Sequence, residues 1–101
     1  MELSASDRKL LQHYFVSRPI RRAYIFGSYA RGTAVRENSD LDILVELDYS
    51  KPIGMKFFAY QLELENLLKK KVDLVSAAGL SRHVKPFVDQ DKVLIYEKGA
   101  D

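Results

Sequence analysis

The 101-residue chain contains no cysteine, which excludes disulfide bonds, zinc–thiolate centres and thiol catalysis. Long apolar runs are missing too. The longest fall far short of the roughly 20 residues that a membrane-spanning helix needs. The first residues, Met1-Glu2-Leu3-Ser4-Ala5-Ser6-Asp7, carry neither a basic n-region nor an apolar h-region, so no secretory signal is expected. Charge of one sign is scarce: 16 Lys and Arg against 14 Asp and Glu leave a net +2. That balance is too mild to argue for nucleic acid alone, yet it does not hinder binding of a polyanion such as a triphosphate. There is no internal repeat and no low-complexity segment. What is present is 47% hydrophobic and 30% charged, ordinary for one globular domain over residues 1–101. A cytoplasmic protein without a membrane role is expected.

Ser4 reads as a helix N-cap with Asp7 in the first turn. Leu10, Leu11, Tyr14 and Phe15 follow as an apolar stripe, and Pro19 ends that helix near Ser17. Residues 22–26 are short, aromatic and β-branched, hence a strand. Gly27-Ser28 breaks it, and Ser28 is expected to cap a short helix reaching about Gly32. Residues 41–47 form the clearest strand, with Leu41, Ile43, Val45 and Leu47 on one face and Asp42, Leu44 and Glu46 on the other. The 48–54 segment is a connection. A long helix is expected over 55–70, with Phe57, Tyr60, Leu64, Leu67 and Leu68 as its main stripe. Met55, Phe58 and Leu62 lie on a second flank roughly 100° away, read as part of a helix buried over a wide arc, with a partner contact as the alternative. Residues 72–75 form a third strand, 77–89 a helix with Pro86 in its first turn or kinking it, and 93–96 a last strand. The order is α-β-α-β-α-β-α-β, which gives a sheet with helices packed against it.

The chemistry concentrates at three places. Asp40 and Asp42 stand two apart at the mouth of the second strand, so both carboxylates share one face, about 6.7 Å apart along it. Hard oxygen ligands on a rigid strand suit Mg²⁺ or Mn²⁺, and two such ions can clamp the attacking and leaving oxygens of a phosphoryl reaction. Alone, an Asp-x-Asp is more often a pair of solvated carboxylates. Gly27 lets backbone approach a ligand closely. Ser28 offers a hydroxyl ahead of free backbone N–H groups that favour phosphate, and Arg31 can neutralise a phosphate oxygen. Asp73 interrupts the apolar strand Val72-Asp73-Leu74-Val75 and needs a partner. A metal shared with Asp40 and Asp42, or one of Lys69, Lys70 and Lys71, would supply it.

Gly27-Ser28-Tyr29-Ala30-Arg31-Gly32, Ser39-Asp40-Leu41-Asp42-Ile43-Leu44-Val45 and the later Asp73 together resemble the signature of the nucleotidyltransferase superfamily related to DNA polymerase β. The nearest branch is that of the minimal nucleotidyltransferase (MNT) domain proteins, the MntA-like antitoxins. The resemblance covers nearly the whole chain. Eleven residues lie between Ser28 and Asp40, one more than the family commonly has. The extra residue is assigned to the loop at 33–38, where insertions are tolerated.

The resemblance implies an α/β (α+β) nucleotidyltransferase fold: a mixed sheet of about four strands with helices packed against it. It implies that Asp40, Asp42 and Asp73 are the catalytic, metal-binding residues for two Mg²⁺ ions, with Mn²⁺ as a substitute. Gly27 and Ser28 would hold the β- and γ-phosphates of ATP, and Arg31 would neutralise triphosphate charge. AMP would pass to a hydroxyl acceptor. No room is seen for an acceptor-binding domain before Asp101, so the acceptor is expected on a partner. The resemblance implies a HEPN-type toxin, adenylylated on a tyrosine. A small-molecule acceptor served by a homo-oligomer and a binding-only antitoxin are the alternatives, and direct nucleic-acid binding is not expected. His13 and His83 lack metal-ligand spacing and read as surface or boundary residues. Lys69-Lys70-Lys71 suits a helix C-terminus. Arg18, Arg21 and Arg22 flank a helix end and a strand start. The six tyrosines fall mostly at core-like positions.

Overall fold

Ser4 caps the first helix as its position predicts. In the computed structural model, which describes residues 3–34 and 40–99, the Ser4 Oγ accepts from the Asp7 backbone N–H at 3.1 Å. One of the donors that every helix start leaves unpaired is thereby satisfied. Helix α1, Ala5–Val16, ends at Ser17, just short of Pro19. Leu11, Tyr14 and Phe15 turn into the core, whereas Leu10 is exposed. It stands about 90° from the centre of the buried face, at 100° per residue.

Strand β1, Ile20–Phe26, begins earlier than expected, because Ile20 is fully buried and pairs with Leu47. Helix α2, Gly27–Arg31, follows at once. Strand β2 occupies Leu41–Leu47, matching its alternating pattern. Leu44 is nevertheless buried on the opposite face, beside a later 3-10 turn. Helix α3, Lys56–Leu68, buries Tyr60, Leu64 and Leu68. Its second flank does not go inside: Met55, Phe58 and Leu62 are 78%, 66% and 63% exposed. The reading of a helix buried over a wide arc is therefore corrected. At 100° per residue Met55, Phe58 and Leu62 are centred about 150° from the buried stripe, farther round than the expected 100°, so they lie on nearly the opposite face and meet water.

Strand β3, Val72–Ser76, precedes a single 3-10 turn, Ala77–Gly79. The continuous helix expected over 77–89 is replaced by that turn and helix α4, Lys85–Asp91. Serine side chains compete with helix propagation here. The Ser76 Oγ accepts from the Gly79 N–H, and the Ser81 Oγ accepts from the Val84 N–H, each at 3.2 Å. Pro86 sits in the first turn of α4, where its missing N–H costs nothing. Strand β4, Val93–Glu97, completes the order.

The sheet runs β3-β2-β1-β4. Strands β2 and β3 pair in parallel, and β1 pairs antiparallel with both β2 and β4. This mixed four-strand α/β sheet is the expected fold class. Leu41, Ile43 and Val45 of β2 join Leu11 and Phe15 of α1 and Leu64 of α3 in one core. Each such side chain contributes about 1.5–3 kcal/mol on burial. Helix α3 also covers the β3 edge. The Val72 N–H donates to Glu65 Oε2 at 3.0 Å and the Leu74 N–H to Gln61 Oε1 at 3.1 Å. An edge strand anchored this way presents Asp73, which lies between those two residues, at a fixed register.

Candidate nucleotide and metal site

Asp42 and Asp73 are register partners on the parallel strands β2 and β3, and Phe26 is the Asp42 partner on β1. Neighbouring strands lie about 4.8 Å apart. Both aspartates alternate with core residues, so they share the sheet face opposite Ile43 and Leu74. Asp40 immediately precedes β2, two residues before Asp42, and is exposed. Asp42 is half-buried and its carboxyl is pushed up to about 6, first by burial, then by the charge of Asp73, then by that of Asp40. The nearby Arg31 charge works the other way. Among the described residues, no hydrogen bond or ion pair is made by the side chain of Asp40, Asp42 or Asp73.

Gly27 makes room for this arrangement. Its φ of +71° is a backbone conformation that side chains rarely adopt. A Cβ there would overlap Asp42 Oδ2 outright and lie 3.3 Å from Asp42 Cγ. Ser28 departs from its expected role. It is the second residue of α2, whose N-cap is Phe26, and no side chain caps that helix start. The Ser28 carbonyl accepts from the Thr33 N–H at 2.9 Å, while its hydroxyl stays out of the cap.

Arg31 ends α2, and its Nη1 donates to Asp91 Oδ2 of α4 at 2.6 Å. Sequence reading had no signal for Asp91, which lies 60 residues away. The lysine alternative for Asp73 is not realised among the described residues. Lys70 pairs with Asp7 at 2.9 Å, and Lys69 takes the left-handed position that ends α3. The part of the Ser28–Asp40 spacer at 35–39, where most of the 33–38 loop and Ser39 fall, lies outside the described residues.

Among the described residues, no three carboxylate or histidine groups converge closely enough to form a ready-made metal cage. Burial raises the Asp42 carboxyl most, and the unscreened charges of Asp73 and Asp40 add to it. The donor set nevertheless fits a hard divalent cation. It is all oxygen, comes from two adjacent strands, and carries negative charge that no side chain of the described residues neutralises by contact. Such a cation would offset the Asp73 and Asp40 charges that add to burial in lifting Asp42.

The family model described as polymerase beta, nucleotidyltransferase matches residues 9–101. Two proteins of Methanocaldococcus jannaschii named as putative protein adenylyltransferases are similar to the chain. MJ0128 is 37% identical over 95 residues, covering 93% of this chain and 92% of that protein. MJ1215 is 49% identical over 57 residues, covering 56% of this chain and 64% of that protein. Among solved structures, a toxin–antitoxin with AMP-PNP superposes with a TM-score of 0.73 at 23% identity, covering 95% of this chain and 76% of that one. A second is a tri-AMPylated Shewanella oneidensis HEPN toxin in complex with MNT antitoxin. It superposes with a TM-score of 0.62 at 18% identity, covering 90% of this chain and 73% of that one. At those identities the two structures establish the fold.

Proposed function

This chain belongs to the polymerase β nucleotidyltransferase family, and from that premise we propose that it moves AMP from ATP onto a tyrosine hydroxyl of a HEPN-type toxin, with Mg²⁺ as cofactor. The observation that carries the reading is the in-register pair Asp42 and Asp73 beside the side-chain-free Gly27. Nothing in the folding of a sheet favours two adjacent like charges, so their placement points to a cationic ligand. Two Mg²⁺ ions, when bound, supply Lewis-acid charge to the attacking and leaving oxygens.

Asp40, just before β2, and Asp42, on it, would hold the ions, Asp42 in its deprotonated form. Asp73, itself exposed on edge strand β3, would complete the set on the acceptor side. Gly27 keeps the space beside Asp42 open, and Ser28 offers its hydroxyl to the β- and γ-phosphates. Arg31 brings positive charge to the triphosphate. The acceptor oxygen forms a bond to the α-phosphorus as the bond to pyrophosphate breaks, and pyrophosphate leaves with that electron pair. Rate enhancement comes from positioning and preset charge. The toxin acceptor is supported by the names of the similar proteins: a protein adenylyltransferase, a toxin–antitoxin with AMP-PNP and an AMPylated HEPN toxin.

The test is Asp73→Asn with ATP, Mg²⁺ and a HEPN-type toxin as acceptor. AMP transfer is expected to be abolished while ATP still binds. Unchanged turnover in the variant sinks the assignment of Asp73.

A further inference from the structure

The Arg31–Asp91 ion pair joins the nucleotide motif to a helix that no sequence motif includes. Arg31 is the last residue of α2, directly before Gly32 turns the chain with a φ of +76°. Its side chain is 51% exposed, against 23% for Asp91, so Asp91 is the better-anchored partner. Helix α4 is itself held down by Val88, which is buried, and is followed by Lys92, whose ammonium lies 4.7 Å from the Tyr24 ring centroid and 2.9 Å from Asp89. The bond to Asp91 occupies Nη1 of a guanidinium that carries further N–H donors. A free arginine samples many rotamers, and holding it in one costs conformational entropy that a bound ligand would otherwise have to supply.

We infer that Asp91 is a positioning residue: it holds the Arg31 guanidinium at the rim of the aspartate site, ready to meet the β- and γ-phosphates of an incoming nucleoside triphosphate. The inference rests on the nucleotide reading of the site. The role passes through Arg31, since Asp91, an anion, would repel phosphate directly. Arg31 is already near enough for its charge to be felt at Asp42, so a group fixed by α4 sits within the field of the proposed reaction centre.

Calorimetric titration with Mg²⁺–ATP and with AMP tests this on the whole chain. Asp91→Asn is expected to weaken ATP binding about tenfold, a change of roughly 1.4 kcal/mol, and to leave AMP binding unchanged, because AMP lacks the phosphates Arg31 meets. Asp91→Glu is expected to restore most of the loss. Arg31→Ala combined with Asp91→Asn is expected to bind no worse than Arg31→Ala alone, because residues acting through one another do not add. A purely structural ion pair would instead weaken both nucleotides alike, or give additive losses, and either result overturns the inference. Tighter ATP binding by Asp91→Asn would make Asp91 a guard and overturn it too. If the wild-type chain binds Mg²⁺–ATP and Asp91→Asn binds equally well, the positioning role alone falls. If the wild-type chain does not bind Mg²⁺–ATP, the nucleotide reading falls with it.

Discussion

One methyl group at residue 27 and one at residue 32 separate backbone strain from damage to the site. Both glycines hold positive φ, +71° and +76°. A left-handed conformation costs a side-chain-bearing residue about 1–2 kcal/mol. For a domain of this size that lowers Tm by about 4–16 °C. Gly27→Ala and Gly32→Ala should share that loss. They differ in what the new Cβ meets. At residue 32 nothing lies within 4 Å, whereas at residue 27 the Cβ overlaps Asp42 Oδ2 and sits 3.3 Å from Asp42 Cγ. The carboxylate must retreat by on the order of 1 Å, and a misplacement of that size costs about a hundredfold in rate. Melting followed by circular dichroism, together with initial rates of AMP transfer, reads both quantities. The expected result is two variants with similar Tm, of which Gly27→Ala loses about a hundredfold in rate and Gly32→Ala less than about threefold. Equal rate losses, or a fully active Gly27→Ala, would refute the reasoning.

Three further outcomes follow from the same geometry. Asp42 has its folded carboxyl raised from 3.8 to about 6. Its protonated form therefore stabilises the metal-free fold below pH about 4, and that contribution fades as pH rises through 6. Asp42→Asn should raise the Tm of the metal-free protein at pH 7 and flatten its pH dependence between 4 and 6, as thermal scans across pH would show. Under the proposed role of Asp42, protons compete with Mg²⁺ for it, so the apparent Mg²⁺ affinity should fall as pH drops below about 6, measured by titration at several pH values. In helix α3, Leu64→Ala should cost about 2–5 kcal/mol in urea unfolding, because Leu64 is fully buried. Leu62→Ser, on the exposed flank, should stay within about 0.5 kcal/mol.

The local parts of this fold are written in short stretches of sequence. Ser4 caps α1 because a side-chain oxygen reaches an N–H three residues on, and β2 spans 41–47 because alternation is visible without knowing its neighbours. The candidate site motif is local for the same reason, since Gly27, Asp40 and Asp42 all fall between the end of β1 and the start of β2. What crossed longer distances was not legible. Strand order was left open, and with it the register that sets Asp42 beside Asp73. The exposure of Met55, Phe58 and Leu62 was within reach of helical periodicity, since they lie about 150° from the buried stripe, and reading that flank as adjacent hid it. Ser28 looked like a cap, yet the N-cap of α2 is Phe26, two residues earlier. Ser76 and Ser81, which divide the 77–89 region, act through side-chain oxygens on N–H groups three residues on, and Gly79 and Pro86 were weaker signals of the break. Asp91 was invisible because an ion pair between residues 31 and 91 leaves no local pattern.

The central claim is that a nucleotide leaves ATP and reaches a protein tyrosine. Incubating the chain with Mg²⁺ and a HEPN-type toxin, in parallel with ATP labelled on its α-phosphate or on its γ-phosphate, is the direct test. The expected result is that the α-label appears on a toxin tyrosine, mapped by peptide mass spectrometry, while the γ-label leaves in pyrophosphate. Label on the toxin from γ-labelled ATP, or toxin inhibition with no label from either, would contradict it.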